Sequence, residues 1–288
     1  VTARSITRSA TRSTADSAPI PALIVFLKRD RARALVRSAF PRRRAHLIAV
    51  KSAEEIGTLL VTQLVDGVLV DGGVGEDGAK ALALAVDFPS VPFFLLTPLL
   101  PQDSPTIARA VDGGIAELLV EGVDDSSARD LVLRRSFSAR FERALFAPPE
   151  ALALETALQI AVWQSVVKRG GRPVRTDQLA RELSVSREHL SRSFAVGRAP
   201  TLKRVIDLVR VIAAAELSKN PGFDVRDVAA VLGFASSSHL SGTSQRLVGA
   251  RASSLTRLRT VDILDRFVAM RARGEHDDDL ALQDQESL

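Results

Sequence analysis

Leu179-Ala180-Arg181-Glu182-Leu183-Ser184-Val185-Ser186 runs into Arg187-Glu188-His189-Leu190-Ser191, and about 50 residues later Val228-Ala229-Ala230-Val231-Leu232-Gly233-Phe234-Ala235-Ser236 runs into Ser237-Ser238-His239-Leu240-Ser241. Each copy reads as a short helix, a turn, a Ser at the N-cap and a second helix. The small Ala180 and Ala229 let the second helix approach closely. This is helix-turn-helix grammar, in which the second helix enters the major groove of DNA with its N-terminal residues against base edges. Between the copies, Thr201 to Ser218 puts Leu202, Val205, Ile206, Val209, Ile212, Ala213 and Leu217 near one apolar face. A helix of that length rises about 27 Å. Two recognition helices on such a strut would reach successive major grooves, about 34 Å apart. Two helical hairpins that merely share a packing motif are the competing reading.

Charge separates the two readings. The formal net charge of +5 is small, but residues 151–260 hold 17 Lys and Arg against 8 Asp and Glu. Residues 23–136 are near neutral, with 14 against 15, and residues 261–288 are acidic, with 3 against 8. A basic stretch of that size beside an acidic tail points to nucleic acid.

Outward from the repeat, the rest of the C-terminal half also reads as helix. Candidate segments are Ala151 to Arg169, Thr176 to Leu183, Ser186 to Val196, Val225 to Leu232, Ser237 to Leu247, Ser253 to Thr260 and Asp262 to Ala272. The Pro pair in Ala147 to Glu150 reads as a boundary, so 137–150 is expected as a linker. Upstream the pattern changes. Leu23 to Leu27, Ala45 to Val50, Gly67 to Val70, Val91 to Leu96 and Glu117 to Val120 are short apolar runs separated by helical segments. That alternation predicts a doubly wound parallel sheet covered by helices on both faces, an α/β domain over 23–136 ahead of an all-α domain over 151–260. Residues 1–22 are Ser, Thr, Ala and Arg with few large apolar side chains, and are expected to be a disordered extension. The spacing of Arg4, Arg8 and Arg12 also suits a transit peptide. Residues 261–288 are expected as a helical segment and then an acidic tail that competes with DNA for the basic face.

Residues of roughly 152 to 260 resemble the DNA-binding domain of the AraC/XylS family of bacterial transcription regulators. The resemblance lies in Leu179-Ala180, Ser186, Leu190-Ser191-Arg192 and Phe194, in Arg210 and Ala214, and in Val228-Ala229, Leu232-Gly233-Phe234, Ser238, Leu240-Ser241, Arg246 and Gly249. It implies sequence-specific binding of double-stranded promoter DNA, with RNA polymerase as a further partner. Base-reading candidates by family position are Glu188, Ser191 and Arg192, with Arg187 near a phosphate; in the second unit they are Ser237, Ser238 and Ser241, with His239 beside them and Arg246 on a phosphate. An Arg can pair two-pronged with guanine and a Glu can accept from cytosine, whereas short Ser side chains discriminate poorly. The chain departs from the family at Ala199, Gly242, Ser244 and Ala252, where the pattern has glycine, arginine, phenylalanine and proline. The second unit is therefore expected to read less sequence than the first.

Residues 23 to 136 resemble the receiver domain of two-component response regulators. Asp71 ends the third strand, at the phosphoacceptor position, Gly78 matches the glycine further on, and Thr97 ends the fourth strand at the hydroxyl position. The resemblance breaks down around Asp71. Where receivers hold a divalent metal with paired acids this chain has Lys28-Arg29, with Asp30 beside them, and the phosphate-pairing lysine is Glu121. The expectation is a degenerate receiver-like domain, independent of phosphorylation, serving as an input or homodimerisation module. Lys28 is the expected ion-pair partner of Asp71. Two alternatives stay open: a phosphorylated response regulator using Asp71, and a protein-interaction factor that has lost DNA binding.

Other chemistry is sparse. The absence of Cys removes disulfides, thiolate metal sites and cysteine nucleophiles. His46, His189, His239 and His276 stand far apart, Asp277-Asp278-Asp279 reads as a solvated run, and no metalloprotease, phosphate-loop or serine-hydrolase motif occurs. No catalytic residue, metal or cofactor is expected. With no membrane-length apolar run, a bacterial cytoplasmic location is the expectation.

Overall fold

The structure is a computed structural model that describes residues 20–195 and 197–286, with side chains to residue 273. The expected extension, apart from residues 20–22, and the side chains of the acidic tail, His276 and the Asp277 run included, lie outside the described residues.

The front domain alternates strands and helices: β1 (Ala22–Phe26), α1 (Asp30–Ala39), β2 (His46–Ala49), α2 (Ala53–Thr62), β3 (Gly67–Asp71), α3 (Gly75–Asp87), β4 (Phe93–Thr97), α4 (Ser104–Asp112), β5 (Glu117–Val120) and α5 (Ala128–Arg135). All neighbours pair in parallel, in the order β2-β1-β3-β4-β5. The continuous apolar runs follow from that: β3 and β4 are buried at every residue, because helices cover both faces. The period of two sorts their side chains. Ile24, Phe26, Val68, Val70, Phe93 and Leu95 meet α2 and α3 on one face, while Leu23, Val25, Leu69, Phe94 and Leu96 meet α1 and α5 on the other. The strand order reverses between β1 and β3, so the crevice at their C-terminal ends is the switch point of the sheet. Asp71, the last residue of β3, stands in that crevice.

The second half is helical: α6 (Phe137–Ala144), α7 (Ala157–Val167), α8 (Thr176–Glu182), α9 (Arg187–Ser193), α10 (Leu202–Leu217), α11 (Val225–Val231), α12 (Ser237–Val248) and α13 (Thr260–Glu286). Several boundaries differ from the sequence reading: α9 ends at Ser193, and α13 continues to Glu286 through the segment expected as a tail. The stretch 137–150 contains α6, capped by Ser136, whose Phe137 and Phe141 stack and join the helical core with Leu145. The helix expected from Ala151 begins only at Ala157, since Thr156 and Gln159 close a capping box there after Ala153 takes a left-handed turn. The segment after Ser253 is a 3-10 turn, Ala252–Arg257, and α13 starts where Asp262 accepts from the Arg259 amide.

The halves are docked against each other. The Arg172 guanidinium donates to the buried Asp66 carboxylate at 2.7 Å and to the Leu64 carbonyl at 3.1 Å. The Gly222 amide donates to the Asp87 carbonyl at 2.9 Å, the Ser90 amide to Asn220 Oδ1 at 2.7 Å, and Phe88 meets Phe223 edge to face. The contact falls on the turn between α7 and α8, on the C-terminal end of α10, and on the loop leading into α11 together with α11 itself, which packs on α2.

Candidate nucleic-acid interface and the closed carboxylate pocket

The two helix-turn-helix units repeat in the backbone as well as in the sequence. After α8 the chain turns through Ser184 at φ 55°, and after α11 through Gly233 at φ 63°. The Val185 amide then donates to the Ala180 carbonyl at 2.9 Å, and the Phe234 amide to the Ala229 carbonyl at 2.8 Å. Ser186 and Ser236 each cap the following helix, accepting from the His189 and His239 amides at 3.0 Å. Leu190 and Leu240 plug the recognition helices into the core. The second unit has one more residue in its turn, Ala235, between the buried Phe234 and the capping Ser236.

The strut is α10, whose apolar residues from Leu202 to Leu217 are buried on nearly all sides. Arg210 ties it to the second unit: its guanidinium lies 3.8 Å from the Phe234 ring centroid and donates to the Leu232 and Gly233 carbonyls, which end α11. Burial lowers the pKa of Arg210, opposed by Asp207.

The faces turned away from this core carry the residues singled out in the sequence. On α9, Arg187, Glu188, His189, Ser191 and Arg192 are exposed. The Glu188 carboxyl is held below the usual range by its own amide and by Ser186 at the helix N-terminus, with Arg187 and Arg192 adding to it. On α12, Ser238, His239 and Arg246 are exposed, and Ser237 and Ser241 are half-buried. His239 is partly used by the fold: its ring meets Phe234 edge on, and Nδ1 accepts from the Ala235 amide at 3.4 Å. At Ser244 the hydroxyl is fully buried and donates to the Ala250 carbonyl at 2.6 Å.

The pocket around Asp71 is closed by the chain itself. Asp71 is fully buried, and its carboxylate accepts four hydrogen bonds. Oδ2 takes the Lys28 amide at 3.0 Å and the Arg29 amide at 2.8 Å; Oδ1 takes Arg29 Nε at 2.6 Å and the Gly73 amide at 2.9 Å, with Arg29 Nη2 paired to it at 2.5 Å and donating to the Leu96 carbonyl at 3.2 Å. The same Nη2 lies 2.5 Å from Glu121 Oε1, and Arg31 approaches Glu121 Oε2 at 3.6 Å. Arg29 is therefore the ion-pair partner of Asp71, in place of the expected Lys28, whose side chain is exposed and which contributes its amide alone. The reason is direction: Arg29 is the residue before α1, and its side chain turns back over β3. Gly73 permits this, because a Cβ there would lie 2.9 Å from Arg29 Cδ and Nε.

Burial pushes the Asp71 carboxyl upward, but the Arg29 and Gly73 amides and the Arg29 guanidinium outweigh it and hold the pKa below the usual value. Burial lowers Arg29, and Asp71 and Glu121 raise it beyond that. These residues do not fit a divalent metal: Asp30 is turned to Arg33 at 2.7 Å, and a guanidinium already contacts Asp71. Thr97 is buried, but its hydroxyl donates to Asp103 Oδ2 at 2.7 Å and accepts from the Leu99 amide at 3.2 Å, so it is engaged away from Asp71. Nothing in the sequence patterning pointed to Asp66 with Arg172, or to Gly73, because their roles depend on neighbours distant in the chain.

Residues 179–257 match a family model described as a helix-turn-helix domain. The chain joins an AraC-type helix-turn-helix domain to a receiver-like α/β domain. Among solved structures, this two-domain chain is similar to a response regulator from Thermotoga maritima, at 19% identity, covering 41% of this chain and 98% of that one with a TM-score of 0.35. It is similar to full-length FixJ from B. japonicum at 14% identity, covering 65% and 94% with a TM-score of 0.35. For RcsB from Salmonella enterica serovar Typhimurium bound to promoter rprA, the figures are 12%, 60%, 87% and 0.32. A search of curated proteins found no match. For the receiver-like domain the fold assignment rests on its strand order and register, which are those of flavodoxin-like sheets. The helix-turn-helix half is a DNA-binding domain. Among the described residues no helix is long and apolar enough to cross a membrane, and no group of three or more His, Cys, Asp or Glu is placed to hold a metal ion.

Proposed function

We propose that the chain is a sequence-specific transcription regulator that binds double-stranded promoter DNA, with a front domain that works without phosphorylation. The observation that carries the reading is the pair of recognition helices, capped alike and presented on one buried strut with their N-terminal faces exposed. The first unit does most of the base reading, through Glu188, Ser191 and Arg192 with Arg187 on the backbone. Ser237, Ser238, Ser241, His239 and Arg246 form the second unit's side of the interface. Phosphorylation independence is supported by Asp71, whose two oxygens are already saturated by donors. The front domain acts as an input and homodimerisation module, and the regulator works in a bacterial cytoplasm with RNA polymerase as its further partner.

Electrophoretic mobility shift of the full chain on promoter fragments tests this. Sequence-selective binding that weakens steeply with salt, and is unchanged by acetyl phosphate with Mg²⁺, is the expected result. Binding that is absent or indifferent to sequence sinks the DNA reading. A mass gain from the phosphodonor that Asp71→Asn abolishes would sink the phosphorylation-independent one.

A further inference from the structure

Over its first two turns the exposed face of α12 carries no Lys or Arg; Arg246 stands in the last turn. Ser238, Ser241, Gly242 and Gln245 recur at helical spacing along it and line one concave surface, Ser237 lines the adjoining one, and none of these side chains carries a positive charge. On α9, by contrast, Arg187 and Arg192 stand on the corresponding face. At Gly242 a Cβ would meet nothing within 4 Å, so a gap opens in the middle of the α12 face.

Another segment faces that gap. After α12 the chain turns at Gly249, and the Ala252 amide donates to Ser241 Oγ at 3.5 Å. This bond needs an N–H at position 252, which a proline there would lack. It holds the loop alongside the step from Ser241 to Gly242. Arg251, the residue before it, is exposed and lines the same concave surface as Ser238, Ser241, Gly242 and Gln245. Among the described residues its guanidinium has no hydrogen bond or ion pair, unlike that of Arg259, which is held by Asp262.

We infer that Arg251 is the specificity-determining residue of the second unit, reaching across the opening at Gly242 to pair with a guanine in the major groove. This rests on the DNA-binding reading above and deepens it. Serines and a glycine leave a space between the helix and the base edges that a short side chain cannot cross. A guanidinium on a long stem can cross it, and its two parallel donors match O6 and N7 of guanine. The second unit then reads sequence from the loop behind its recognition helix, whereas the first reads from the helix itself.

The test is selection of bound sites from a randomised double-stranded DNA library by the full chain, comparing the unaltered protein with Arg251→Ala, Arg192→Ala and the double variant Arg251→Ala with Gly242→Arg. The unaltered chain is expected to enrich two constrained blocks about one helical turn apart, the second containing a guanine. In Arg251→Ala that guanine preference falls by about 5- to 150-fold while the first block persists. Arg192→Ala does the reverse, and Gly242→Arg restores a preference in the second block by supplying a cation to the same gap. Both blocks unchanged in Arg251→Ala, uniform weakening on every sequence, or a single block from the unaltered chain would each overturn the inference while leaving the DNA reading intact. No enrichment by the unaltered chain would defeat the DNA reading itself and the inference with it.

Discussion

Arginine has opposite roles in the two halves of this molecule. In the front domain Arg29 is turned inward, where it neutralises two buried carboxylates, Asp71 and Glu121, that are 0% and 1% exposed. On α9, on α12 and in the loop after α12, Arg187, Arg192, Arg246 and Arg251 are exposed. Both arrangements depend on the same side-chain chemistry, a planar fork that binds oxygen anions two at a time. Partner location makes the difference. Where the chain supplies a buried anion, the pocket is closed around the pair; where it supplies none, the guanidinium stays turned to solvent.

The largest expected consequence is at Arg29. Arg29→Ala leaves two buried carboxylates without their counter-charge and should cost about 3–5 kcal/mol, read as a shift in the urea midpoint. A loss under about 1 kcal/mol would mean that the pocket is not held by this pair. Arg192→Ala should invert that pattern. Folding stability stays within about 0.5 kcal/mol, as for other surface substitutions, while discrimination at its base falls by about 1–3 kcal/mol in competition binding. If Arg192→Ala destabilised the fold as Arg29→Ala does, the contrast between inward and outward arginine would fail.

The matching caps sharpen the comparison between the two units. Ser186→Ala and Ser236→Ala each remove one acceptor from a recognition-helix N-terminus, and each should lower thermal stability by about 1 kcal/mol. Unequal losses would show that α9 and α12 are not held alike. The smallest effect concerns acid. The folded pKa of Asp71 lies below its unfolded value, so its contribution is fully present above the unfolded carboxylate pKa of about 3.9 and is lost as pH falls through it toward the folded value. Comparing acid unfolding of the unaltered chain and Asp71→Asn should show a steeper fall below about pH 4 in the former.

Much of this was legible in the sequence. The alternation of apolar runs with helical segments announced a parallel sheet, because strands covered on both faces must be apolar throughout, and β3 and β4 are. The duplicated pattern ending in Ser186 and Ser236 announced two capped recognition helices, since capping is local chemistry over three residues. The misplaced boundaries have local causes too weak to read in advance. A capping box at Thr156 overrode the continuous apolar pattern before it, and the stretch 137–150 expected as a linker proved long enough to fold α6 against the core.

What the chain alone determined was therefore the class of each half, the caps, and the residues that would stand on exposed recognition faces, all set by spacing along a helix or strand. What tertiary structure decided was which charge meets which. The swap of acid and base around Asp71 was visible as residue types, but whether Lys28 or Arg29 would neutralise it depended on the exit angle of the chain from β1 and on the room above Gly73. The clasp of Arg172 on Asp66 joins residues 106 positions apart, and Arg251 comes beside Gly242 only because the Ala252 amide finds Ser241. Ion pairs and interface residues of this kind are fixed by convergence in space, and side-chain charge is the one part of them that a linear sequence displays.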